Sequence, residues 1–443
     1  MELYYHFRAI YFVIIQVDVT LVSMKRPSAL DWQSQIYING FAGFRPKINI
    51  DLTILEESAR KVISPEAFAY IAGGAGNEST VRANREAFEK YKIVPRMLRN
   101  VGERDTSITL FGQELPTPFL LSPVGVLEMV HREADVAVAK AAAQLGVPYI
   151  FSNQASKPME ECAAVMSNSP HWFQLYWSKS NDLVASLVQR AEKCGCSAIA
   201  VTLDTTMLGW RTRDLELAYL PFMEGKGIAQ YTSDPVFLKM LDEQADEKES
   251  KRKITLQSLL GLIGMVRNYP EDGFFKKLKS GKPIKAVQKF VSTYSNPCTT
   301  WDDLKFLRQH TKLPILLKGI LHPDDARKAM DVGMDGIIIS NHGGRQVDGS
   351  ISTIEALPKI TEVIKEKIPV LLDSGVRGGA DAFKALALGA KAVCIGRPYV
   401  YGLSIAGQQG VYEVLRNFMT DFELTMGLTG CKNISEITKE TLA

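Results

Sequence analysis

The sequence predicts an α/β protein that forms a closed (β/α)8 barrel, with a helical segment before the barrel and a long insertion after its fourth strand. Short apolar runs alternate with amphipathic helical patterns from about residue 119 onward, and this alternation indicates a parallel sheet with crossover helices. Eight such runs occur, which favours a closed barrel over an open sheet. Because no Gly-x-Gly-x-x-Gly motif follows the first run, a Rossmann sheet that binds a dinucleotide is disfavoured.

Residues 1–31 are predicted to form an extension with weak order and no assigned function. Its apolar run, Ala9–Val17, is followed by Asp18 and is shorter than the roughly 20 residues that span a bilayer. We find no convincing signal-peptide cleavage site after this run, and Met24 is an alternative start.

Residues 32–110 are predicted to form a helical segment that contributes to a lid. Within it, Pro65–Ile71 has a helical pattern that stops at the glycine-rich stretch Ala72–Gly76. Residues 111–443 are assigned to the barrel, which carries its insertion at 225–300.

Each strand candidate of the barrel is a short apolar run with polar or glycine residues at its end. The candidates are Phe119–Val126, Pro148–Gln154, Trp172–Trp177, Ala198–Asp204, Pro314–Ile320, Gly336–His342, Pro369–Gly375 and Ala392–Pro398. The clearest helices between them are Asp135–Leu145, Asn181–Lys193, Pro323–Asp331 and Ala380–Leu388. A barrel brings the carboxyl ends of all its strands to one mouth, where active sites form. The polar strand ends therefore predict a functional site at that mouth.

The insertion contains an apolar stretch, Leu259–Val266, and then a run of lysines with no acidic residue between them. These are Lys276, Lys277, Lys279, Lys282, Lys285 and Lys289. Long insertions at a barrel mouth are often lids, so we interpret the lysines as the solvated face of a lid. A basic amphipathic stretch can also bind an anionic membrane surface, and this is the alternative.

The composition is that of an ordinary globular protein. The chain has 443 residues, of which 46% are hydrophobic and 23% charged, so it can bury a sizeable core and is not globally disordered. A net charge of +3 gives no argument for binding nucleic acid. The six cysteines form no C-x-x-C pair and have no histidine cluster near them. We therefore expect reduced thiols in a cytoplasmic protein, with neither a disulfide framework nor a metal site.

The motif Ser340–Ser350 (SNHGGRQVDGS) is the most informative part of the chain. It follows the apolar strand Gly336–Ile339 and places His342 three residues before Arg345. Histidine can accept a proton near neutral pH, and arginine can hold a carboxylate with two parallel hydrogen bonds. A base beside an anion-binding group is what the oxidation of a small hydroxy acid requires. A polar loop that merely caps a strand is the alternative for this motif alone.

Together these residues resemble the FMN-dependent flavoproteins that oxidise α-hydroxy acids, a family that includes glycolate oxidase, lactate oxidase, flavocytochrome-type and membrane lactate dehydrogenases, and lactate 2-monooxygenase. The resemblance extends from about Trp32 to the C-terminus, except within 225–300. Its motifs are Tyr70–Thr80 (YIAGGAGNEST), Trp172–Tyr176 (WFQLY), Ser340–Gln346 (SNHGGRQ), and Asp373–Arg377 (DSGVR) followed by Gly396–Pro398 (GRP). The stretches that look most like lactate 2-monooxygenase are Gly209–Asp214 (GWRTRD), Tyr219–Phe222 (YLPF) and the leader Trp32–Pro46.

The resemblance implies that FMN lies across the barrel mouth. Its phosphate would meet Arg377, Arg397 and the backbone of Gly375 and Gly396, in keeping with the anion-binding turns of parallel strands. The flavin ring would meet Lys318, which stabilises negative charge on reduced flavin. The other residues implied for the cofactor are Val124, Gly125, Val126, Ser152, Gln174, Thr202, Ser340 and Asp373.

The same resemblance implies how the substrate is held. Arg345 and Arg211 would bind its carboxylate, with help from the Tyr70 hydroxyl, and Tyr176 would contact the reacting oxygen. His342 would be the base and Asp204 its orienting partner. The catalytic residues implied are thus His342, Asp204, Tyr176 and Arg211.

Two positions depart from the family pattern. Gly378 stands where many members have a second arginine, and Gly125 stands where many oxidases have alanine. A missing methyl group beside the flavin would let pyruvate and reduced flavin stay together while oxygen reacts. The sequence therefore predicts a lactate 2-monooxygenase, which converts L-lactate and O2 to acetate, CO2 and water. The alternatives are an oxidase that releases pyruvate and H2O2, and a membrane-associated dehydrogenase. We also expect a homotetramer or homo-octamer, by resemblance.

Overall fold

The computed structural model describes residues 28–243 and 255–443. The chain divides into two compact units, Met1–Arg45 and Pro46–Ala443. In the described part of the first unit, the helix Ala29–Phe41 begins at Ser28, whose side chain and that of Asp31 cap each other's backbone. The weak order expected for residues 1–31 concerns mainly residues outside the described ones. The boundaries predicted at residues 31 and 110 stay predictions.

The second unit contains the predicted barrel, which is confirmed. Eight parallel strands close on themselves, with the first strand paired to both the second and the eighth. They are Phe119–Leu121, Tyr149–Phe151, His171–Tyr176, Ile199–Thr202, Ile315–Ile320, Gly336–Ile339, Val370–Leu372 and Ala392–Ile395. The helices that follow the strands include Ala134–Leu145, Met159–Met166, Asn181–Lys193, Pro323–Asp331, Thr353–Ile364, Gly379–Ala387 and the long Arg397–Thr429.

Most of the strands are shorter at their carboxyl ends than the sequence predicts. The first ends at Leu121 instead of Val126, and the sixth ends at Ile339 instead of His342. Both Val126 and His342 have positive φ angles, 59° and 57°, which are incompatible with a strand. The backbone leaves the sheet at these points and turns over the barrel mouth.

Two apolar layers explain why the barrel closes. Inside it, a small cluster of buried residues includes Leu120, Ile150, Trp172, Leu316 and Ile338, and a larger cluster fills the space between strands and helices. The hairpin formed by Ile108–Leu110 and Gln113–Leu115 contributes to the inner cluster. At its turn Phe111 packs against Trp172 with ring centroids 5.8 Å apart.

Strand periodicity then decides which side chains reach the mouth. Side chains two residues apart in a strand point the same way, so the residues two positions after the inner cluster point into the mouth. They include Ser122, Ser152, Gln174, Thr202, Lys318, Ser340 and Asp373. The register places Tyr176 beside Thr202, and Thr202 beside Lys318.

Helices also form before the barrel and within the insertion. Leu52–Arg60, Pro65–Ala72 and Ser79–Glu89 precede the barrel, and Ser64 caps the second of them. The described helices of the insertion are Ala229–Thr232, Pro235–Asp242, Leu256–Asn268, Phe274–Ser280 and Lys282–Thr293. The last of these buries Ala286, Val287 and Phe290. Lys277 differs from the solvated lysines expected, since it is buried and its Nζ donates to the Tyr269 carbonyl at 2.8 Å.

The described residues contain neither a membrane-spanning helix nor a cluster of metal ligands. Across residues 28–243 and 255–443, no helix is both long and apolar enough to cross a bilayer. The same residues contain no group of three or more histidine, cysteine or acidic side chains placed to hold a metal ion. All six cysteines lie among them and carry free thiols.

Candidate active site

A cavity opens at the carboxyl end of the barrel and contains most of the residues predicted to act. Its empty volume, including the part open to solvent, is about 1080 Å³. The predicted residues that line it are Tyr70, Val124, Gly125, Gln174, Tyr176, Thr202, Arg211, Lys318, His342, Arg345, Asp373, Gly375, Arg377, Gly396 and Arg397. The other predicted residues, Val126, Ser152, Asp204 and Ser340, lie behind this lining.

His342 and Asp204 form a hydrogen-bonded pair at one side of the cavity. The imidazole Nδ1 lies 2.8 Å from Asp204 Oδ1, and the Thr205 hydroxyl lies 3.0 Å from the same oxygen and 3.1 Å from Nδ1. Burial raises the pKa of Asp204, but attraction to His342 and Lys318 outweighs it and lowers that pKa to about 2. Burial also lowers the pKa of His342, against the opposing effect of Asp204. At neutral pH the imidazole is therefore free to accept a proton.

Arg345 and Arg211 both lie close to the Tyr70 ring. Their guanidinium carbons lie 4.9 and 5.8 Å from its centroid. Arg345 donates to the backbone carbonyls of Tyr70 and Gly73, and Arg211 donates to Gln346 Oε1 at 3.1 Å. Burial, and then repulsion from Arg211, lowers the pKa of Arg345 to about 9.

Neither guanidinium forms an ion pair with an acidic side chain in the described part of the chain. Asp214 offsets part of their charge from beyond ion-pairing distance, and two buried cations that lack a direct anionic partner are unfavourable. A bound carboxylate would therefore stabilise both of them. This arrangement is an anion-binding site.

Lys318 supplies a fixed positive charge at the floor of the cavity. Its Nζ lies 3.0 Å from Asp373 Oδ2 and donates to Ser340 Oγ at 2.7 Å. Burial lowers the pKa of this amine, but Asp373 and Asp204 outweigh burial and raise it above its ordinary value. The amine therefore stays charged. Burial raises the pKa of the neighbouring Tyr176 to about 12, so this hydroxyl keeps its proton.

Gln174 links the polar groups at the ends of neighbouring strands. Its Oε1 accepts from Ser152 Oγ at 3.2 Å, and its Nε2 donates to Thr202 Oγ1 at 3.1 Å. The Val126 N–H donates to the Gln154 carbonyl at 2.9 Å and is not available to a ligand. Ser152 and Val126 thus bond to neighbouring residues of the site and are not part of the cavity lining.

Arg397 and Arg377 form a part of the cavity that fits a phosphate. Arg397 donates to the carbonyls of Ile71, Gly343 and Gly73, each at 2.9 Å, which leaves two of its five N–H groups for a ligand. Burial, followed by repulsion from Arg397 and Arg85, lowers the pKa of Arg377 to about 10. Within the described chain, the buried Ser122 hydroxyl that also lines this cavity has no hydrogen-bond partner. A cavity lined by Arg377 and Arg397, which could bind a phosphate, and by the charged Lys318 fits FMN.

Gly125 does not leave the open space beside the cavity that the sequence suggested. A Cβ atom at this position would lie 2.9 Å from both Gln154 Cβ and the Gln154 carbonyl oxygen. The room for a methyl group is therefore already filled by Gln154. The glycine allows two backbone segments to approach closely, and it does not open extra space beside the cavity.

Several lining residues were missed by the sequence reasoning. Ser122 could have been found, because it lies two residues after the inward-facing Leu120. Thr205 adjoins a predicted residue but was not separately indicated. Phe222 lies just before the insertion and Tyr294 lies near its end, and the two rings pack together with centroids 6.3 Å apart. No sequence pattern showed that these two rings reach the cavity.

Comparison with known proteins agrees with this site. The chain matches the model of the FMN-dependent dehydrogenase family over residues 59–443. It is 42% identical over 388 residues to an L-lactate oxidase of Lysinibacillus sphaericus, covering 88% of this chain and 91% of the relative. It is 40% identical over 412 residues to an FMN-dependent alpha-hydroxy acid dehydrogenase of Penicillium citrinum, covering 93% and 95%.

The fold is also that of solved relatives. A crystal structure of mandelate oxidase with (S)-4-hydroxymandelic acid superposes with a TM-score of 0.73 at 35% identity, covering 89% of this chain and 98% of that chain. The family resemblance expected from the motifs is thereby confirmed, as is FMN as the cofactor. This chain belongs to the FMN-dependent dehydrogenase family.

Proposed function

We propose that this enzyme oxidises a small L-2-hydroxy acid to the 2-keto acid, with O2 as the final electron acceptor. One observation supports this most strongly: the His342–Asp204 pair and the guanidinium groups of Arg211 and Arg345, which form no ion pair within the described residues, line one cavity or lie directly behind its lining. A base and a carboxylate-binding site in one cavity suit a substrate whose carboxylate and hydroxyl are on adjacent carbons.

The substrate's carboxylate would bind between Arg345 and Arg211, with the Tyr70 hydroxyl as a further donor. Charge-assisted, paired hydrogen bonds fix both the position and the rotation of a carboxylate. The hydroxyl on the next carbon would then face His342 and Tyr176. Binding in one orientation converts the reaction into an effectively intramolecular one.

His342 would accept the proton as the α-carbon is oxidised. Asp204 is ionised at neutral pH and lies against Nδ1, so it stabilises the imidazolium that forms and leaves Nε2 directed at the substrate. FMN, when bound, would supply the acceptor for the two electrons and their route to oxygen. Tyr176 keeps its proton and donates to the reacting oxygen.

The remaining predicted residues would hold the cofactor. Arg377 and Arg397, with the backbone of Gly375 and Gly396, would bind the phosphate, and Lys318 would offset negative charge on the ring. The ring's polar edge would meet Gln174 and Thr202, beside Val124 and Gly125. Val126, Ser152, Ser340 and Asp373 would act by positioning these groups, since their polar atoms already bond to neighbours.

L-Lactate is the substrate we propose first, because an L-lactate oxidase is among the most similar relatives. Two different reactions of L-lactate with oxygen have support. The lactate 2-monooxygenase reaction is supported by the Gly209–Asp214 and Tyr219–Phe222 motifs. Release of pyruvate and H2O2 is supported by the Gln154 contact at Gly125, which removes the space on which the first argument depended.

Product analysis separates these outcomes. With L-lactate in air, a monooxygenase forms acetate and CO2 with one O2 consumed per lactate and no free peroxide. An oxidase forms equal amounts of pyruvate and H2O2. Acetate, pyruvate and peroxide should be quantified with an enzyme preparation that contains no catalase. Stoichiometric pyruvate with peroxide would contradict the monooxygenase proposal.

The pH dependence of kcat/KM reports the proposed base. Neutral His342 is the active form, and burial lowers its pKa below the ordinary value of 6.5. We therefore expect kcat/KM for L-lactate to be level near neutral pH and to fall as the pH drops through a value below 6.5. In Asp204→Asn the acid limb should lie at still lower pH, because Asp204 raises the pKa of His342, and kcat should be lower. An acid limb above about pH 7 would contradict the assignment.

A membrane-associated dehydrogenase is the second candidate. Leu259, Leu260 and Phe275 of the insertion are exposed, and Lys276 and Lys279 beside Phe275 are exposed as well. Binding to anionic lipid would weaken as salt rises, so fractionation of cell extracts at low and high ionic strength tests it. The cytoplasmic location and the tetrameric or octameric assembly stay predictions.

A further inference from the structure

Asp348 belongs to the same loop as His342 and Arg345, but the proposed reaction does not use it. Its carboxylate reaches across to the turn before the helix Ser79–Glu89. Oδ2 accepts from the Asn77 N–H at 2.7 Å, and Oδ1 accepts from the Ser79 N–H at 2.7 Å. Oδ1 also accepts from the Ser79 hydroxyl at 2.6 Å and the Thr80 N–H at 3.3 Å.

The helix depends on this carboxylate because it has no cap of its own. Glu78 occupies the N-cap position in a left-handed conformation, with φ of 61°, and makes no side-chain cap bond. Its carboxylate instead accepts from the Gly74 N–H and pairs with Arg213. A negative charge at a helix N-terminus satisfies free N–H groups and complements the helix dipole. Asp348 therefore caps the helix from more than 260 positions away along the chain.

The capped turn also touches every segment of the carboxylate site. Ala75 N–H donates to the Gly344 carbonyl and Gly76 N–H to the Trp210 carbonyl, each at 2.9 Å. These acceptors immediately precede Arg345 and Arg211 in the chain. The turn itself follows Tyr70, and its Gly73 carbonyl accepts from Arg345 at 3.1 Å.

The contact between the turn and Asp348 is close. A Cβ atom on Gly76 would lie 2.6 Å from Asp348 Oδ2, so no larger residue fits between them. A small displacement of the carboxylate would therefore move the turn. The Gly73 carbonyl that accepts from Arg345 would move with it, as would the two N–H groups that bond to Gly344 and Trp210.

We propose that Asp348 is a positioning residue of the substrate-carboxylate site: by fixing the turn at 73–80 it sets the spacing of Tyr70, Arg211 and Arg345. This rests on the proposed function, because it concerns the same site. The carboxylate acts through these three residues and does not touch the substrate.

The test is Asp348→Asn, since one amide oxygen cannot accept all four bonds and its NH2 group faces backbone donors. We expect KM for L-lactate to rise about 10- to 100-fold, because a displacement of about 1 Å in a binding site can cost a factor of about 100. The dissociation constant of oxalate, followed through the absorbance of bound FMN, should rise in parallel. The FMN content and kcat at saturating lactate should stay close to those of the wild type.

Asp51→Asn is the matched control. Asp51 caps the helix Leu52–Arg60 through the N–H and hydroxyl of Thr53, at 2.9 and 2.7 Å, and does not line the cavity. Asparagine caps helices about as well as aspartate, so Asp51→Asn should change stability little, and only Asp348→Asn should change KM and oxalate binding. An unchanged KM in Asp348→Asn would reduce Asp348 to an ordinary helix cap and overturn the inference.

If Asp348→Asn does not fold, Ser79→Ala removes a single donor to the same carboxylate. Its KM should also rise, by a smaller factor, and an unchanged KM overturns the inference.

Wild-type enzyme that neither oxidises hydroxy acids nor binds oxalate would refute the proposed function itself. Active wild type with unaffected variants would refute the role of Asp348 alone.

Discussion

Replacing His342 with glutamine is expected to lower kcat for L-lactate by about 10²- to 10⁴-fold, which is the usual contribution of a general base. The side chain is similar in size but cannot accept the proton. Its neighbours Asp204 and Thr205 can still hydrogen-bond to an amide, so the cavity should keep its shape. FMN content, read from the visible spectrum of the purified variant, should be normal. Rapid mixing with L-lactate without oxygen measures the loss directly.

His310→Gln is the control for this substitution. His310 ends an outer helix of the barrel, and its Nδ1 bonds to the Phe306 carbonyl at 2.8 Å. It does not line the cavity, so this variant should turn over like the wild type. Near-normal turnover by His342→Gln would show that another group is the base.

Replacing Arg345 with lysine is expected to lower kcat/KM by about 30- to 5,000-fold. Removing one member of a buried charge pair costs about 2–5 kcal/mol, and each 1.4 kcal/mol is a factor of about ten. Lysine keeps the charge but loses the planar pair of donors, and it cannot also bond to the Tyr70 and Gly73 carbonyls as Arg345 does. The loss should appear chiefly in KM for L-lactate.

Arg104→Lys is the matched control, because Arg104 is also largely buried and donates through two nitrogens to Glu423. It lies outside the cavity, so stability should fall while kcat/KM stays unchanged. An Arg345→Lys variant with wild-type kcat/KM would show that the substrate's carboxylate binds elsewhere.

Much of the barrel is encoded locally and can be predicted from the sequence. Each strand is a short apolar run because both of its faces are buried. The boundaries of the helices Asn181–Lys193 and Pro323–Asp331 match the sequence pattern because each has a cap, at Ser180 and His322. The strand ends could not be predicted, since Val126 and His342 leave the sheet to meet tertiary contacts that periodicity does not encode.

The candidate site, like the fold, could be predicted only in part from the sequence. His342, Lys318 and Arg345 were predictable because their positions follow from strand ends and from the motif that contains them. Phe222 and Tyr294 were not, because their approach to the cavity depends on how the insertion folds back. The role of Gly125 was also misjudged, because a sequence shows that a methyl group is absent but not which neighbour occupies its place.

Anaerobic mixing of the purified, FMN-bound protein with L-lactate tests the central claim most directly. If His342, Arg211 and Arg345 act together on a 2-hydroxy acid against the flavin, the absorbance of oxidised FMN should disappear within the first turnover and return when air is admitted. A spectrum that stays fully oxidised with L-lactate and with larger L-2-hydroxy acids would contradict the account.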